Sequence, residues 1–466
     1  MPAIRRNRAP KPAHAGLASL PIRELKVQVV PVATLKPYAR NPRTHSKKQL
    51  RQIADSIRTF GWTKPILIDA DAGVIAGHGT LAAAKLLGID RVPTIRLEDM
   101  TAAQKRAYVL ADNKLAENAG WDRELLALEL QGLLEMELDF EVTTTGFEMG
   151  EIDILISDLS HGVDDEADRV PEIHSTLPPI THPGDLWQLG RHRLLCADAT
   201  LPESFERLMT GEEAEMVFTD PPYNVPIGGH VTGLGSVKHA EFAMASGEMT
   251  EAEFITFLEQ VLGLMAAHSR DGAIHFICMD WRHVLELLTA GRSVYSELKN
   301  LCVWTKSNGG MGSLYRSQHE LVVIFKAGSA PHINNVELGR HGRNRTNVWA
   351  YPGMNSFGAE RDNALAMHPT VKPVALVEDA ILDVSRRGGV VLDAFVGSGT
   401  TLIAAERAGR RAFGLELEPH YVDVTLRRFR ALTGMEPLHA GSGLTLKERE
   451  CSGAAFEPKS AENSDR

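Results

Sequence analysis

Cysteine is scarce in this chain: four residues in 466, with no Cys-x-x-Cys pair among them. The scattered Cys196, Cys278, Cys302 and Cys451 argue against a zinc site and a disulfide framework, and fit a reducing cytoplasm. No metal centre is expected. Long apolar runs are also missing, none approaching the roughly 18 residues that a membrane span needs. The opening "MPAIRRNRAPKPAHAG" is basic but has no apolar stretch, unlike a secretory signal. A cytoplasmic location with no membrane partner is the expectation. A basic excess is lacking as well, the net charge being −10. That weighs mildly against nucleic acid, although DNA contact depends on local basic surface rather than on the total.

What is present is an ordinary globular composition, 43% apolar and 24% charged. The length suits about three domains, and no internal repeat is visible. Residues 1–25 read as a disordered basic tail. An α+β domain is expected over 26–155. "SKKQLRQIADSIRTF" (46–60) combines a serine cap with apolar residues at helical spacing. "KPILID" and "GVIAG" read as short strands around "ADAG", "TLAAAKLLG" as a helix and "RVPTIRL" as another strand. "TAAQKRAYVLADNKLAENAG" reads as a further helix or helix pair. Residues 156–180 are acidic, proline-bearing and aperiodic, as in a linker. From 181 to 434 strands and helices alternate, which predicts a parallel sheet with helices on its faces. Residues 435–466, rich in Gly, Ser, Glu and Lys, are expected to be disordered.

The stretch "GGVVLDAFVGSGTTLIAAERAGR" predicts a strand, a glycine turn and a helix, a common cradle for small molecules. A phosphate-gripping loop would carry a lysine after Gly399, and a dinucleotide fold a third glycine where Leu402 stands. Neither is present. Glu416 ends the next strand-like run, 23 residues past Asp393. An acid about 20 residues beyond a glycine turn commonly accepts ribose hydroxyls. Turn plus acid suits a nucleoside ligand without a pyrophosphate, such as S-adenosylmethionine; alone, Glu416 could equally be a solvated strand-end carboxylate.

Asp220-Pro221-Pro222-Tyr223 follows the apolar run "AEMVFT". Two prolines end a strand, because they remove ladder donors and restrict φ. A stiff sheet-edge loop would account for that much. The chemistry available is more specific. An adenine's exocyclic amine is a poor nucleophile, since its lone pair is delocalised into the ring. The Asp220 carboxylate and the Pro221 carbonyl could accept its two N–H bonds, with Tyr223 stacking on the base.

Residues 181–433 resemble the β group of DNA amino-methyltransferases, in which the catalytic motif precedes the cofactor motif. The resemblance rests on four motifs in family order: "DPPYN" (220–224), "HPTVKP" (368–373), "DAFVGSGTT" (393–401) and "GLELEPHYVDVTLRRF" (414–429). It implies a doubly wound, Rossmann-like α/β sheet of seven strands and methyl transfer from S-adenosylmethionine. Carried over by position, Asp220, Pro221, Pro222 and Tyr223 would hold a flipped base. Asp393, Phe395, Gly397, Ser398, Gly399, Thr400 and Glu416 would hold the cofactor. His368, Thr370 and Lys372 match a further cofactor motif, and Asp198 an acidic position near the cofactor adenine. The leading aspartate favours N6 of adenine over N4 of cytosine, which stays as the alternative. Cys196 could be suspected as the thiolate of a cytosine-C5 mechanism, but no Pro-Cys context surrounds it, and a small buried residue is the simpler reading.

Double-stranded DNA is the implied partner, and its target base must leave the stack to reach such a pocket. Residues 299–350 carry basic side chains interleaved with Asn, Gln and aromatics, and are expected to recognise the target. Lys306, Arg316, Arg340, Arg343 and Arg345 are the chosen contacts, "GRHGRNRTN" (339–347) above all. A homodimer is compatible with the sequence, and no restriction endonuclease partner is implied.

Residues 28–118 resemble the ParB/sulfiredoxin-like domain. In partition proteins the corresponding loop reads Gly-Glu-Arg-Arg and binds nucleotide phosphates; here it is Gly77-His78-Gly79-Thr80. The backbone anion site remains possible in principle, but the arginines are gone, and His78 reads equally as a solvated loop residue. The cluster Arg40, Arg43, Lys47, Lys48 and Arg51 could meet a phosphate backbone or form an exposed helix face. An accessory DNA-binding role is the expectation by analogy. A reading of another class is a ParB-like DNA-binding adaptor with an inactive methyltransferase scaffold.

Overall fold

The structure, a computed structural model, describes residues 24–160, 166–170, 178–225, 247–307, 309, 314–336, 345–352 and 371–454. The chain divides into two compact units, one formed by residues up to 126 and 132–147, the other by 127–131 and 148–466.

Unit 1 carries a four-stranded sheet of β1 (Val27–Pro31), β2 (Ile66–Ile68), β3 (Val74–Ala76) and β4 (Arg91–Arg96) in the order β1-β4-β2-β3. β2 and β4 are parallel; the outer pairs are antiparallel. Ile66, Ile68 and Val92 are fully buried with Leu81 and Ala84 of the helix His78–Leu86, so one face of the sheet makes the core. Ser46 caps the helix Lys47–Phe60 by accepting from the Gln49 N–H at 3.1 Å. Thr101 and Gln104 form a capping box at the start of Ala102–Glu117. Both helix starts follow the cap residues in the sequence.

Unit 2 holds β5 (Leu186–Leu189), β6 (His192–Cys196), β7 (Ala214–Thr219), β8 (Ser269–Met279), β9 (Glu297–Thr305), β10 (His319–Lys326), β11 (Val348–Ala350), β12 (Val390–Asp393), β13 (Arg411–Glu416) and β14 (Leu438–His439). They form one sheet in the order β11-β9-β10-β8-β7-β12-β13-β6-β5-β14. The run from β9 to β6 contains the seven strands that the resemblance implies; β11, β5 and β14 extend it at the edges. β8, β7, β12, β13 and β6 are mutually parallel, and β10 runs against both its neighbours.

The central strands are near-continuous apolar runs because both faces are covered. Along β12, Val391 points into one apolar layer, with the helices Val374–Val384, Thr400–Arg407 and Pro419–Thr433. Val390 and Leu392 point into the other, with Pro202–Met209, Glu251–Ala267 and Val284–Val294. Such a three-layer sandwich puts every parallel strand's carboxyl end on one side. There, β7 and β12 are neighbours from which the chain winds off in opposite directions, a switch point of the kind where α/β sheets bind ligands.

Two expected boundaries differ from the structure. The helix Met149–Ser160, placed by sequence with the first domain and linker, belongs to unit 2. Its Asp153 accepts from the fully buried Arg410 at 2.7 Å and from Arg387 at 3.0 Å, and Ser157 donates to the buried Glu378. Within the expected linker, residues 166–168 form a 3-10 turn in which Ala167 is buried and Asp168 accepts from the Val374 N–H. The tail is ordered to residue 454: β14 pairs with β5, and the helix Leu446–Ala454 buries Leu446 and joins Glu450 to Arg427 and Arg430. Polar composition hid this order, since ion pairs and one buried leucine dock the segment. The expected basic tail falls outside the described residues up to residue 23. Among the described residues, no helix is long and apolar enough to cross a membrane.

Candidate active site

Asp220 follows β7, and Asp393 ends the adjacent β12. Burial pushes Asp393 up to about 6, while its hydrogen bonds pull the other way. Those bonds define its job: it accepts from the hydroxyls of Thr219 and Thr401, each at 2.7 Å, and from the Phe395 N–H at 3.0 Å. Asp393 thus ties the end of β7 to the glycine turn and the next helix. It is 3% exposed with both oxygens engaged within the protein, so it organises the glycine turn from beneath.

The turn itself needs glycine at Gly399, which has φ of +90° and would place a Cβ 2.6 Å from Thr425 Cγ2. The buried Arg428 donates to the Ser398 carbonyl at 2.9 Å and to the Ser398 and Thr400 hydroxyls at 3.2 Å. Its other amino group reaches the Ala167 carbonyl at 2.6 Å. The two hydroxyls are therefore turned toward Arg428, and the turn can offer a ligand its backbone. Glu416, at the end of β13, accepts from the N–H groups of Gly397 at 2.8 Å and Glu418 at 2.9 Å. Burial pushes its carboxyl up to about 7. Asp198, past the end of β6, accepts from the Thr200 N–H and hydroxyl at 2.8 Å. Phe395 packs near Phe257, with ring centroids 6.2 Å apart.

Beyond β7, Pro221 is buried and Tyr223 half-buried. Asn224 adopts a left-handed φ of 52°, accepts from the Gly247 and Met249 N–H groups and donates to the Met249 carbonyl. That staple fixes the motif's exit. The Tyr223 hydroxyl donates to Asp220. Lys372, whose side chain is 5% exposed, donates to Asp220 Oδ2 at 2.5 Å and lies 2.9 Å from Glu320 Oε2. Lys306 pairs with Glu320 and sits over the Trp304 ring. Burial pushes the Asp220 carboxyl up and Lys372 pulls it down, leaving it raised. Burial acts to raise Glu320 too, but Lys372 and Lys306 hold it at about 2. Lys372 is kept charged by its two carboxylates despite its burial. Tyr223 stays a phenol, because burial and Asp220 both oppose its ionisation.

The structure thus gathers the two groups of expected residues at one end of the sheet, with changes of role. Lys372, expected with the cofactor, lies on Asp220. His368, Thr370, Arg340 and Arg343 lie outside the described residues. Arg345 does not present a free cation to DNA: it is bound to Asp379 at 2.8 Å and Asp383 at 3.2 Å, with Tyr351 beside it. Lys306 is committed to Glu320, and Arg316 is exposed. Much of 299–350 is β9 and β10, and Trp304 and Trp349 are buried core residues. Cys196 is buried with its thiol pushed up to about 12 by burial and nearby carboxylates, which removes it as a nucleophile. Sequence reasoning missed Glu320 and Arg428. Each is a charge on an otherwise apolar stripe, in "HELVVIFK" and "VDVTLRRF", and that mismatch was the available signal. In unit 1, Arg43 pairs with Glu117, and His78 Nε2 accepts the Tyr38 N–H at 3.2 Å.

A family model described as DNA methylase matches residues 214–427, and one described as ParB N-terminal domain matches 18–114. The chain belongs to the ParB family through its first part, and the segment that matches the DNA methylase model follows it in the same chain. Between them, a ParB-methyltransferase HTH domain model matches residues 124–183, a module that the sequence reading had not separated. The ParB part is similar to the ParB-like nuclease domain-containing protein YnaK of Escherichia coli (strain K12), at 48% identity over 83 residues, 18% of this chain and 95% of the relative. The methylase part is similar to type II methyltransferase M2.DpnII of Streptococcus pneumoniae, at 27% identity over 241 residues, 48% of this chain and 85% of the relative. Among solved structures, the M1.HpyAVI-SAM complex matches with a TM-score of 0.37 at 20% identity, covering 50% of this chain and 97% of that one. The PvuII DNA methyltransferase (cytosine-N4-specific) matches with a TM-score of 0.40 at 16% identity, covering 57% and 93%.

Proposed function

We propose that the DNA methylase domain transfers a methyl group from S-adenosylmethionine to the exocyclic N6 amine of an adenine flipped out of double-stranded DNA. The observation that carries this reading is the junction at the switch point, where the Thr219 hydroxyl binds Asp393 and so joins the Asp220 motif to the glycine turn. Acceptor and donor sites built on neighbouring strand ends can hold two reactants within reach of one another.

The residues present fit the cofactor. Gly399 leaves its φ and its space to the backbone, and Glu416 offers a half-buried carboxylate for ribose hydroxyls. Asp198 holds the turn it caps through one carboxylate oxygen, Oδ1. The backbone of Gly397, Ser398, Gly399 and Thr400 would hold the methionine portion. When bound, S-adenosylmethionine supplies an electrophilic methyl group on a sulfonium. On the other side, the Asp220 carboxylate and the Pro221 carbonyl accept the two N–H bonds of the target amine and draw its nitrogen toward tetrahedral geometry. Tyr223 supplies an aromatic face, and Pro222 stiffens the loop. The amine nitrogen would take the methyl carbon as its bond to the sulfonium sulfur breaks, leaving S-adenosylhomocysteine, and would then give up one proton through Asp220 to solvent, so no covalent enzyme intermediate is needed.

DNA is held, in this reading, by exposed basic residues such as Arg316 together with Arg340 and Arg343, and the ParB and HTH modules serve as accessory DNA-binding elements. The test is methyl transfer from labelled S-adenosylmethionine to unmethylated genomic DNA, followed by nucleoside mass analysis. N6-methyladenine is expected. N4-methylcytosine would correct the base, and cofactor binding with no DNA product would favour the adaptor reading. Asp220→Ala should lower turnover by at least roughly 10- to 150-fold, the loss expected for one charged hydrogen bond, while cofactor affinity stays near wild type. Retained activity in that variant would overturn the mechanism.

A further inference from the structure

Four charges, Asp220, Glu320, Lys306 and Lys372, meet beside the Asp220 motif, and neither the family descriptions nor the motif order gives Glu320 a task. Lys372 comes from the segment leading into the helix Val374–Val384 and Glu320 from β10, so the tertiary fold alone brings them to Asp220. Lys372 Nζ lies 2.5 Å from Asp220 Oδ2, 2.9 Å from Glu320 Oε2 and 3.3 Å from the Tyr223 hydroxyl. It also stands 5.7 Å from the Tyr223 ring centroid and 5.9 Å from that of Trp304.

We infer that Lys372 and Glu320 form a positioning pair for the target-amine acceptor: Lys372 holds the Asp220 carboxylate ionised and oriented, and Glu320 holds Lys372. This rests on the methyltransfer reading above. Burial acts to raise the Asp220 carboxyl, and a protonated Asp220 would lose acceptor strength toward an amine. The ammonium offsets that penalty. Glu320 fixes the ammonium between two carboxylates, and Lys306 pairs with Glu320, so the two ammonium groups match the two carboxylates one to one. The other titratable groups facing it are Tyr223, Cys278 on β8 and Asp393 on β12; the first two stay neutral, both being pushed up by burial. Asp393 is pushed up to about 6 by burial and by Asp220 itself, so it adds only repulsion.

The two members of the pair act on Asp220 with opposite sign, which gives a test that simple loss of packing cannot imitate. Turnover of unmethylated DNA by the full-length protein is measured against pH for Lys372→Met, Lys372→Arg and Glu320→Gln, with S-adenosylmethionine affinity determined alongside. Lys372→Met removes the attractive charge, so the acid limb of the kcat profile moves up by roughly 1–3 pH units. Glu320→Gln removes a repulsive charge, so the limb moves down. Lys372→Arg keeps the charge and leaves the limb near wild type. Cofactor affinity is expected to stay within about threefold in all three, well under the tenfold that 1.4 kcal/mol represents. A lower rate with an unmoved limb in Lys372→Met would overturn the inference, as would shifts of the same sign in Lys372→Met and Glu320→Gln. Loss of cofactor binding in Lys372→Met would also overturn it, returning Lys372 to the cofactor site. Failure of the methyltransfer reading itself shows separately, as absence of methylated DNA with the wild-type protein.

Discussion

Gly77-His78-Gly79-Thr80 in unit 1 and Gly397-Ser398-Gly399-Thr400 in unit 2 look alike on paper, and their backbones agree. Each opens a helix through a left-handed glycine, with φ, ψ of 95°, 26° at Gly77 and 90°, 17° at Gly399. Their surroundings differ. The second turn has Arg428 gripping its carbonyl and hydroxyls, Asp393 beneath it and Glu416 bound to the Gly397 N–H. Around the first, the neighbours are His45, Ile53 and Ile66, and His78 gives its ring nitrogen to the Tyr38 N–H. Burial and the nearby His45 hold His78 below the usual imidazole range, so it is a neutral acceptor rather than a cation for phosphate. A glycine turn supplies N–H groups; side chains from distant elements decide what those groups can serve.

The comparison can be broken most directly at Glu416. Glu416→Gln should weaken S-adenosylmethionine binding by roughly 10- to 150-fold, as for a hydrogen bond to a charged group. In the wild type, the carboxyl sits at about 7 and must be ionised to accept ribose hydroxyls, so affinity should fall as pH drops below about 7 and level off above it. The glutamine variant should lose that dependence. Calorimetric titration from pH 5.5 to 8.5 checks both, and an unchanged slope would remove Glu416 from the cofactor site. Next in size, Gly399→Ala should cost the ~1–2 kcal/mol of a left-handed alanine plus the clash with Thr425, lowering cofactor affinity roughly tenfold or more. Gly77→Ala carries a similar backbone cost, about 1–2 kcal/mol, but should lower only the stability of unit 1. Equal loss of cofactor binding in the two alanine variants would show that the turns are not distinct in role. The smallest effect is expected for His78→Ala, about 0.5–1.5 kcal/mol of unit 1 stability for one neutral hydrogen bond, with methyl transfer unchanged.

Much of the candidate site was legible before any fold was seen. The four motifs stand in family order, and Asp393, Glu416 and Asp220 lie where the strand ends were expected. Lys372 illustrates what was not legible. Its motif placed it with the cofactor, whereas an ion pair 152 residues apart in sequence places it on Asp220. Arg345 is similar: it stands in a basic run, yet two aspartates of the helix Val374–Val384 absorb it. Charge read along a sequence overstates the charge that reaches the surface. The ordered tail shows the converse, since Gly- and Glu-rich composition concealed the docking of Leu446 and Glu450.

By itself the sequence determined what depends on near neighbours. Caps at Ser46 and Thr101, the apolar runs of β7 and β12, and the glycines of the two turns all follow from local backbone chemistry and periodicity. The order of the motifs also placed the methylase half within its family. Tertiary structure alone decided which charges are spent on one another. It set Lys372 and Glu320 against Asp220, gave Arg428 to the cofactor turn, and assigned the helix Met149–Ser160 to unit 2 through Asp153 and Arg410. The physical reason is that a buried charge is tolerable only beside a partner. A strand crossing or a helix packing brings that partner from far along the chain, and local pattern carries no record of it.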